Sequence, residues 1–225
     1  MNEKKNAAEY SVDYIEDGMV IGLGTGSTVS FMLNKLAERI KSGLNITAVS
    51  SSQATTKLAS SLGIKITMLS EVDEIDLNID GADEVDENLN GIKGGGGALL
   101  NEKIIASNSK KNIWIVDSSK LVKTLGNFPL PVEVIQFGTT QLCVKLERSG
   151  FKPTLRAKGP VKYITDNNNY IVDLKMGRIP DPLALDIKLK SFPGIVETGL
   201  FYDTADEVIA GVGKEIKIFS KKKRV

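Results

Sequence analysis

Three stretches of this sequence hold residue types at spacings that could do chemistry. "DLNIDGADEVDE", Asp76 to Glu87, has Asp76, Asn78 and Asp80 at ligand spacing, Gly81 at the turn and Glu87 at the closing position of a calcium-binding EF-hand loop. "GLGTGST", Gly22 to Thr28, offers backbone amides and the hydroxyls of Thr25, Ser27 and Thr28 just before a helical pattern, an arrangement that favours an anion. "KGGGGALLNEK", Lys93 to Lys103, joins a fixed positive charge to four consecutive glycines, Gly94 to Gly97, and then to Glu102. Four glycines lose much chain entropy on ordering. Their use is close approach of backbone to a ligand, with amides aimed at an oxygen that gains charge. Glu102 suits either a general base or simple complementing of a helix dipole.

The calcium reading fails on context. An EF-hand loop needs a helix on each side, whereas "EIDLNID" alternates with period two through Ile75, Leu77 and Ile79. Loop position eight, ordinarily apolar, is Asp83, and there is no second loop to pair with. Asp80 and Asp83 instead end a parallel strand, where open α/β sheets place their ligands, although Asp-Gly is also ordinary turn chemistry. From Glu71 to Gly91 there is no lysine or arginine, so a phosphate would avoid this side. Lys120, in "DSSK", ends the next strand at the same sheet edge.

Histidine is absent, which removes Ser-His-Asp and Cys-His chemistry and the commonest transition-metal ligand. Acid–base work falls to carboxylates and lysines. The single cysteine, Cys143, rules out an internal disulfide and fits an inert thiol in a reducing cytoplasm. A net charge of +1 gives no global argument for nucleic acid or an anionic membrane, and no apolar run reaches transmembrane length. The glycine loop reads G-x-G-x-G rather than G-x-G-x-x-G, and the second strand ends in Ser50, Ser51 and Ser52 without an acid, which speaks against NAD and, on the serines alone, leaves NADP open.

The elements that must position these groups follow from periodicity. Residues 4–17 predict a helix with Ala7, Ala8, Val12 and Ile15 on one face. Strands are expected at "GMVIGL", "NITAVSSS", "KITML", "EIDLNID" and "NIWIVD", with helices between them at "VSFMLNKLAERI", "SQATTKLASSLG" and "ALLNEKIIASNSK". Alternating strands and helices predict a parallel sheet with helices on both faces. After "FPLP" the order becomes β-α-β-β-α-β: "VEVIQF", "TTQLCVKLERSG", "KPTLRA", "YIVDLKM", "PLALDIKLKSF" and "GIVETGLFY". That is the ferredoxin-like arrangement. The expected domains are therefore a Rossmann-like α/β domain over 1–127, rejoined by 203–225 through "EVIAGV" and "EIKIF", and a smaller α+β domain over 128–202. "KKKRV" reads as a solvated tail.

Taken together, "GTGST", "DGADEVD", "KGGGGALLNEKIIA", "DSSK" and "GNFPLPVEV", in this order, resemble the ribose-5-phosphate isomerase A family over nearly the whole chain. The resemblance implies the same two-domain fold and the metal-free interconversion of ribose 5-phosphate and ribulose 5-phosphate in the pentose phosphate pathway. It implies a cytoplasmic homodimer or homotetramer that uses no cofactor. The family's catalytic base falls on Glu102. Its substrate-contacting segments fall on Thr25, Gly26, Ser27 and Thr28, on Asp80, Gly81, Ala82 and Asp83, on Lys93, Gly94, Gly95 and Gly96, and on Lys120. An N-terminal lysine aligns with Lys4, with Lys5 beside it. One departure is Gly97, where many members have alanine.

The implied chemistry suits these residues. One carboxylate, Glu102, can carry a proton between adjacent carbons. Lys93 and the glycine-loop amides can stabilise the enediolate, and Asp80 and Asp83 are the expected pair for ring opening and the hydroxyl proton shift. "TGST" with Lys120 and Lys4 would anchor the phosphate. Two rivals share parts of the pattern. A sugar-phosphate sensor would need a DNA-reading segment that the sequence lacks. An enzyme transferring CoA or deaminating an amino-sugar phosphate shares the loop architecture, but such a deaminase would want a histidine.

Overall fold

The structure is a computed structural model and describes residues 2–221. In chain order the first elements are α1 (Glu3–Ser11), β1 (Val20–Leu23), α2 (Ser27–Lys41), β2 (Thr47–Ser50), α3 (Gln53–Ser61) and β3 (Ile75–Gly81). Next come β4 (Glu84–Val85), β5 (Gly91–Ile92), α4 (Leu99–Ser107), β6 (Ser109–Asp117), β7 (Leu130–Val134) and α5 (Thr139–Arg148). They are followed by β8 (Pro153–Leu155), β9 (Ala157–Lys158), β10 (Val161–Lys162), β11 (Tyr170–Leu174) and α6 (Pro182–Lys190). β12 (Ile195–Thr198), β13 (Leu200–Phe201), β14 (Glu207–Val212) and β15 (Glu215–Ser220) complete the chain. Of the "KKKRV" tail, only Lys221 lies within the described residues.

Two compact units form. The first takes in 1–82, 101–121 and 203–225, and the second 83–100 and 122–202. Segment 83–100, which the sequence boundary at 127/128 leaves with the Rossmann-like part, thus groups with the smaller unit.

The first unit is a six-stranded sheet in the order β15-β14-β6-β3-β1-β2. Its pairings are parallel except for the β14–β15 hairpin. Ile113 to Val116 of β6 are all buried, as a strand covered on both faces requires. In α2, Val29, Met32, Leu33, Leu36 and Ala37 recur at helical spacing and bury one stripe among Ile21, Leu23, Ile79 and Ile115. Leu33→Ala would cost about 2–5 kcal/mol there. "EVIAGV" and "EIKIF" rejoin this sheet as β14 and β15. "KITML" does not form a strand: Ile66 makes a lone bridge to Ala48, and Leu69–Glu71 turns as a 3₁₀ helix.

The second unit holds an antiparallel sheet in the order β12-β7-β11-β8, the ferredoxin-like order. Val132, Val134, Val172 and Leu174 pack with Leu142 and Leu146 of α5 and Leu189 of α6. Two features escape the sequence pattern. Short β9 and β10 pair as a hairpin between β8 and β11. β13, expected as the end of a single strand with β12, leaves that sheet and joins β5 and β4 in a three-stranded sheet.

Candidate active site

In the first unit, the "GLGTGST" loop and the end of β3 are locked together. Asp80, 1% exposed at the end of β3, accepts the Thr25 amide on Oδ1 at 2.9 Å and its neighbour Gly81's amide at 2.7 Å. Gly24 donates to the Ile79 carbonyl at 3.0 Å, and a Cβ on Gly24 would stand 1.9 Å from Asp80 Oδ1. Only glycine fits that contact. Gly26, at φ +119°, then caps α2, so the first-turn amides of Ser27 and Thr28 are donors the helix itself cannot use. That is an anion site by geometry.

The Thr25 hydroxyl does not join it. It hydrogen-bonds Ser51 and Ser52 at 2.8 Å each, in a cluster that Thr55 closes by donating to the Gly24 carbonyl. The serines that end β2 therefore support the loop from behind, a role their sequence position alone does not disclose.

Lys120 follows β6 in a 3₁₀ turn, Ser118–Lys120. Asp117 caps the turn by accepting from the Ser119 amide at 2.9 Å. Glu3, from α1, accepts the Ser118 amide at 3.0 Å and its hydroxyl at 2.7 Å, and also the Gly213 amide at 2.7 Å. These hydrogen bonds, the Ser118 hydroxyl first, hold the Glu3 carboxyl below its ordinary range. Lys4 consequently sits with Nζ 3.9 Å from Asp117, whereas Lys5 pairs with Glu9 at 3.7 Å on its own helix. Lys4 is the lysine brought to the end of β6.

Glu102 is 3% exposed in the first turn of α4. The helix lies close on the sheet: a Cβ on Gly22 would meet Ile105 at 2.8 Å. Asn78 donates to Asn112, which donates to the Ala106 carbonyl at 3.0 Å, tying the far end of α4 to β3 and β6.

In the second unit, Lys93 follows β5 and is 3% exposed, with Nζ 5.3 Å from the Phe201 ring centroid. Gly94 and Gly97 have φ of +98° and +82°, values that bend the loop back so that the Gly97 amide reaches the Gly94 carbonyl at 2.9 Å. Asp83 Oδ2 accepts the Gly95 amide at 2.8 Å. Asp83 is half-buried, unlike Asp80.

The acidic stretch is used up in structure at most positions. Asp76 accepts from the Val20 amide and Lys110, Glu84 from the amides of Gly126 and Phe128, and Asp86 from those of Asn88 and Asn90. Its first half is strand β3, as the alternation predicts. Gly81 and Ala82 are half-buried connectors between Asp80 and Asp83. Arg156 and Tyr163, not singled out by sequence, bind the carbonyls of the glycine loop.

A family model described as ribose 5-phosphate isomerase A (phosphoriboisomerase A) matches residues 47–215. The ribose-5-phosphate isomerase A of Limosilactobacillus reuteri is 51% identical over 217 residues, 96% of each chain. A solved ribose 5-phosphate isomerase from Plasmodium falciparum has a TM-score of 0.93 at 36% identity, covering 98% of both chains. A solved D-ribose-5-phosphate isomerase in complex with phospho-erythronic acid has a TM-score of 0.93 at 42% identity, covering 98% of this chain and 100% of its own. By sequence and by fold, the chain belongs to the ribose 5-phosphate isomerase A family.

Proposed function

We propose that the interconversion of ribose 5-phosphate and ribulose 5-phosphate runs here through Glu102 as the single proton carrier. Its carboxylate takes the proton from C2 of the open-chain aldose and returns it to C1 of the enediolate, while the hydroxyl proton passes from O2 to O1. Nothing is gained or lost overall, so no redox partner enters. The observation that carries this reading is a nearly fully buried carboxylate in the helical turn just after a glycine loop, in a chain of this family.

The other roles follow from charge and exposure. Lys93 and the loop amides stabilise the enediolate oxygens. The amides of Ser27 and Thr28, with Lys120 and Lys4, hold the phosphate, and that binding energy orients the reacting carbons. Of the two aspartates, Asp80 serves chiefly to hold the loop, since its Oδ1 is committed to two amides. The sugar hydroxyl protons then fall to Asp83.

On this reading the enzyme is a cytoplasmic homodimer or homotetramer that works without metal or cofactor. A coupled assay of purified protein on ribose 5-phosphate, with and without excess chelator, is the direct test. Conversion unchanged by chelator is expected, and loss of conversion in chelator would overturn the metal-free mechanism. Light scattering during size exclusion gives the subunit number, and a monomer as the active species would overturn the oligomer.

A further inference from the structure

Three successive carbonyls of the glycine loop are held by two side chains of the β9–β10 hairpin base. Arg156 Nη1 donates to the Gly94 carbonyl at 2.9 Å and to the Gly95 carbonyl at 3.2 Å. Tyr163 Oη donates to the Gly96 carbonyl at 3.0 Å. The two residues are themselves paired, the Tyr163 amide donating to the Arg156 carbonyl at 3.0 Å. Asp173 on β11 fixes the guanidinium, accepting from Arg156 Nε at 2.8 Å and from Nη2 as well. Tyr163 also lies over Gly97: a Cβ there would come within 2.2 Å of its hydroxyl.

These contacts decide where the loop amides point. In a trans peptide the carbonyl and the following N–H lie in one plane and point in opposite directions across the C–N bond. The Gly94–Gly95 peptide has its oxygen on Arg156 and its N–H on Asp83. The Gly96–Gly97 peptide has its oxygen on Tyr163 and its N–H on the Gly94 carbonyl. Between them, the Gly95–Gly96 peptide has its oxygen on Arg156, so its N–H faces away from the guanidinium. The exposed Gly96 amide meets no acceptor among the described residues. A cation on the carbonyl polarises the peptide and strengthens the donor on its other end.

We infer that Arg156 and Tyr163 are positioning residues for the isomerisation, holding the loop so that the Gly96 N–H is a fixed, polarised donor to the enediolate. This rests on the reading of the glycine loop as an enediolate-stabilising element. A donor aimed beforehand acts on charge that develops at the transition state, so its loss lowers kcat more than it weakens substrate binding.

The test compares Arg156→Lys, Tyr163→Phe and Lys93→Met with the unaltered enzyme on ribose 5-phosphate. Direct loss of one oxyanion donor costs about 100- to 1000-fold, so an indirect loosening should lower kcat about 10- to 100-fold in Arg156→Lys and about 3- to 10-fold in Tyr163→Phe. KM should stay within about twofold. In Arg156→Ala, millimolar guanidinium should restore part of kcat, which recovery of bulk folding would not explain. Unchanged kcat in both Arg156→Lys and Tyr163→Phe, a loss confined to KM, or a loss matched by the unfolded fraction in circular dichroism would overturn the inference. Lys93→Met separates the parent reading: full kcat in that variant would remove the enediolate role of the loop itself.

Discussion

Thr25 and Asp80 are joined by a 2.9 Å hydrogen bond from backbone amide to carboxylate, which makes the loop after β1 and the end of β3 one piece of structure. Fifty-five residues apart in sequence, they meet because β1 and β3 are parallel neighbours. Parallel neighbours bring their carboxyl ends to the same sheet edge.

Gly24 is where this joint can be broken. An added Cβ would stand 1.9 Å from Asp80 Oδ1 and 2.5 Å from its backbone Cα, so no side-chain rotation relieves the clash. Gly24→Ala should displace the loop and lower kcat/KM about 100-fold, with most of the effect in KM. Steady-state kinetics over a wide range of ribose 5-phosphate would show it, and a normal KM would mean that the phosphate is held elsewhere.

Glu102→Gln keeps the shape of the side chain and removes its ability to accept a proton. A fall of about 100- to 10,000-fold in kcat is expected, with bound sugar phosphate little weakened. In deuterated water the variant should also stop incorporating deuterium into recovered sugar. Turnover near that of the unaltered enzyme would assign the base to another carboxylate.

The two lysines should divide their effects. Lys120 is half-buried in the turn after β6 and is assigned to the phosphate, so Lys120→Ala should chiefly raise KM. Lys93 is almost fully buried against Phe201, and Lys93→Met, which preserves bulk, should chiefly lower kcat. The opposite pattern would mean that the two ends of the substrate have been exchanged.

The fold class was legible because local periodicity and global order agreed. Ile75, Leu77 and Ile79 alternate as a strand must, and Val29, Met32, Leu33 and Leu36 recur as a helix must. "KITML" has the same alternation yet gains only one bridge, because pairing depends on a neighbour's reach, which composition does not encode. The residues "KGGGG" stood out through the entropy such a run gives up. Arg156 and Tyr163 did not, since a lone arginine and a lone tyrosine before a polar turn look like ordinary surface. Their meaning appears only when the hairpin closes and both reach the loop carbonyls. The acidic pattern singles out Asp80, but its two amide contacts, one of them to a loop fifty-five residues away, are not written in it.

Glu3 carries a pH dependence that was invisible in sequence. Its carboxylate gathers the Ser118 hydroxyl and the amides of Ser118 and Gly213, and these hydrogen bonds hold its pKa below the ordinary 4.5. A carboxyl depressed in the folded state adds stability that is fully present above its unfolded value. That contribution fades as pH falls through the folded value. Glu3→Gln should therefore melt lower than the unaltered enzyme at neutral pH, and the gap should narrow as the pH is taken below about 4.5 toward 3. The same change loosens the turn that carries Lys120, so KM for ribose 5-phosphate should rise while kcat stays close to its original value. Melting curves from pH 3 to 7, read beside KM at pH 7, check both halves. A melting difference that stays constant across that range would show that Glu3 acts through packing alone and that its charge contributes nothing.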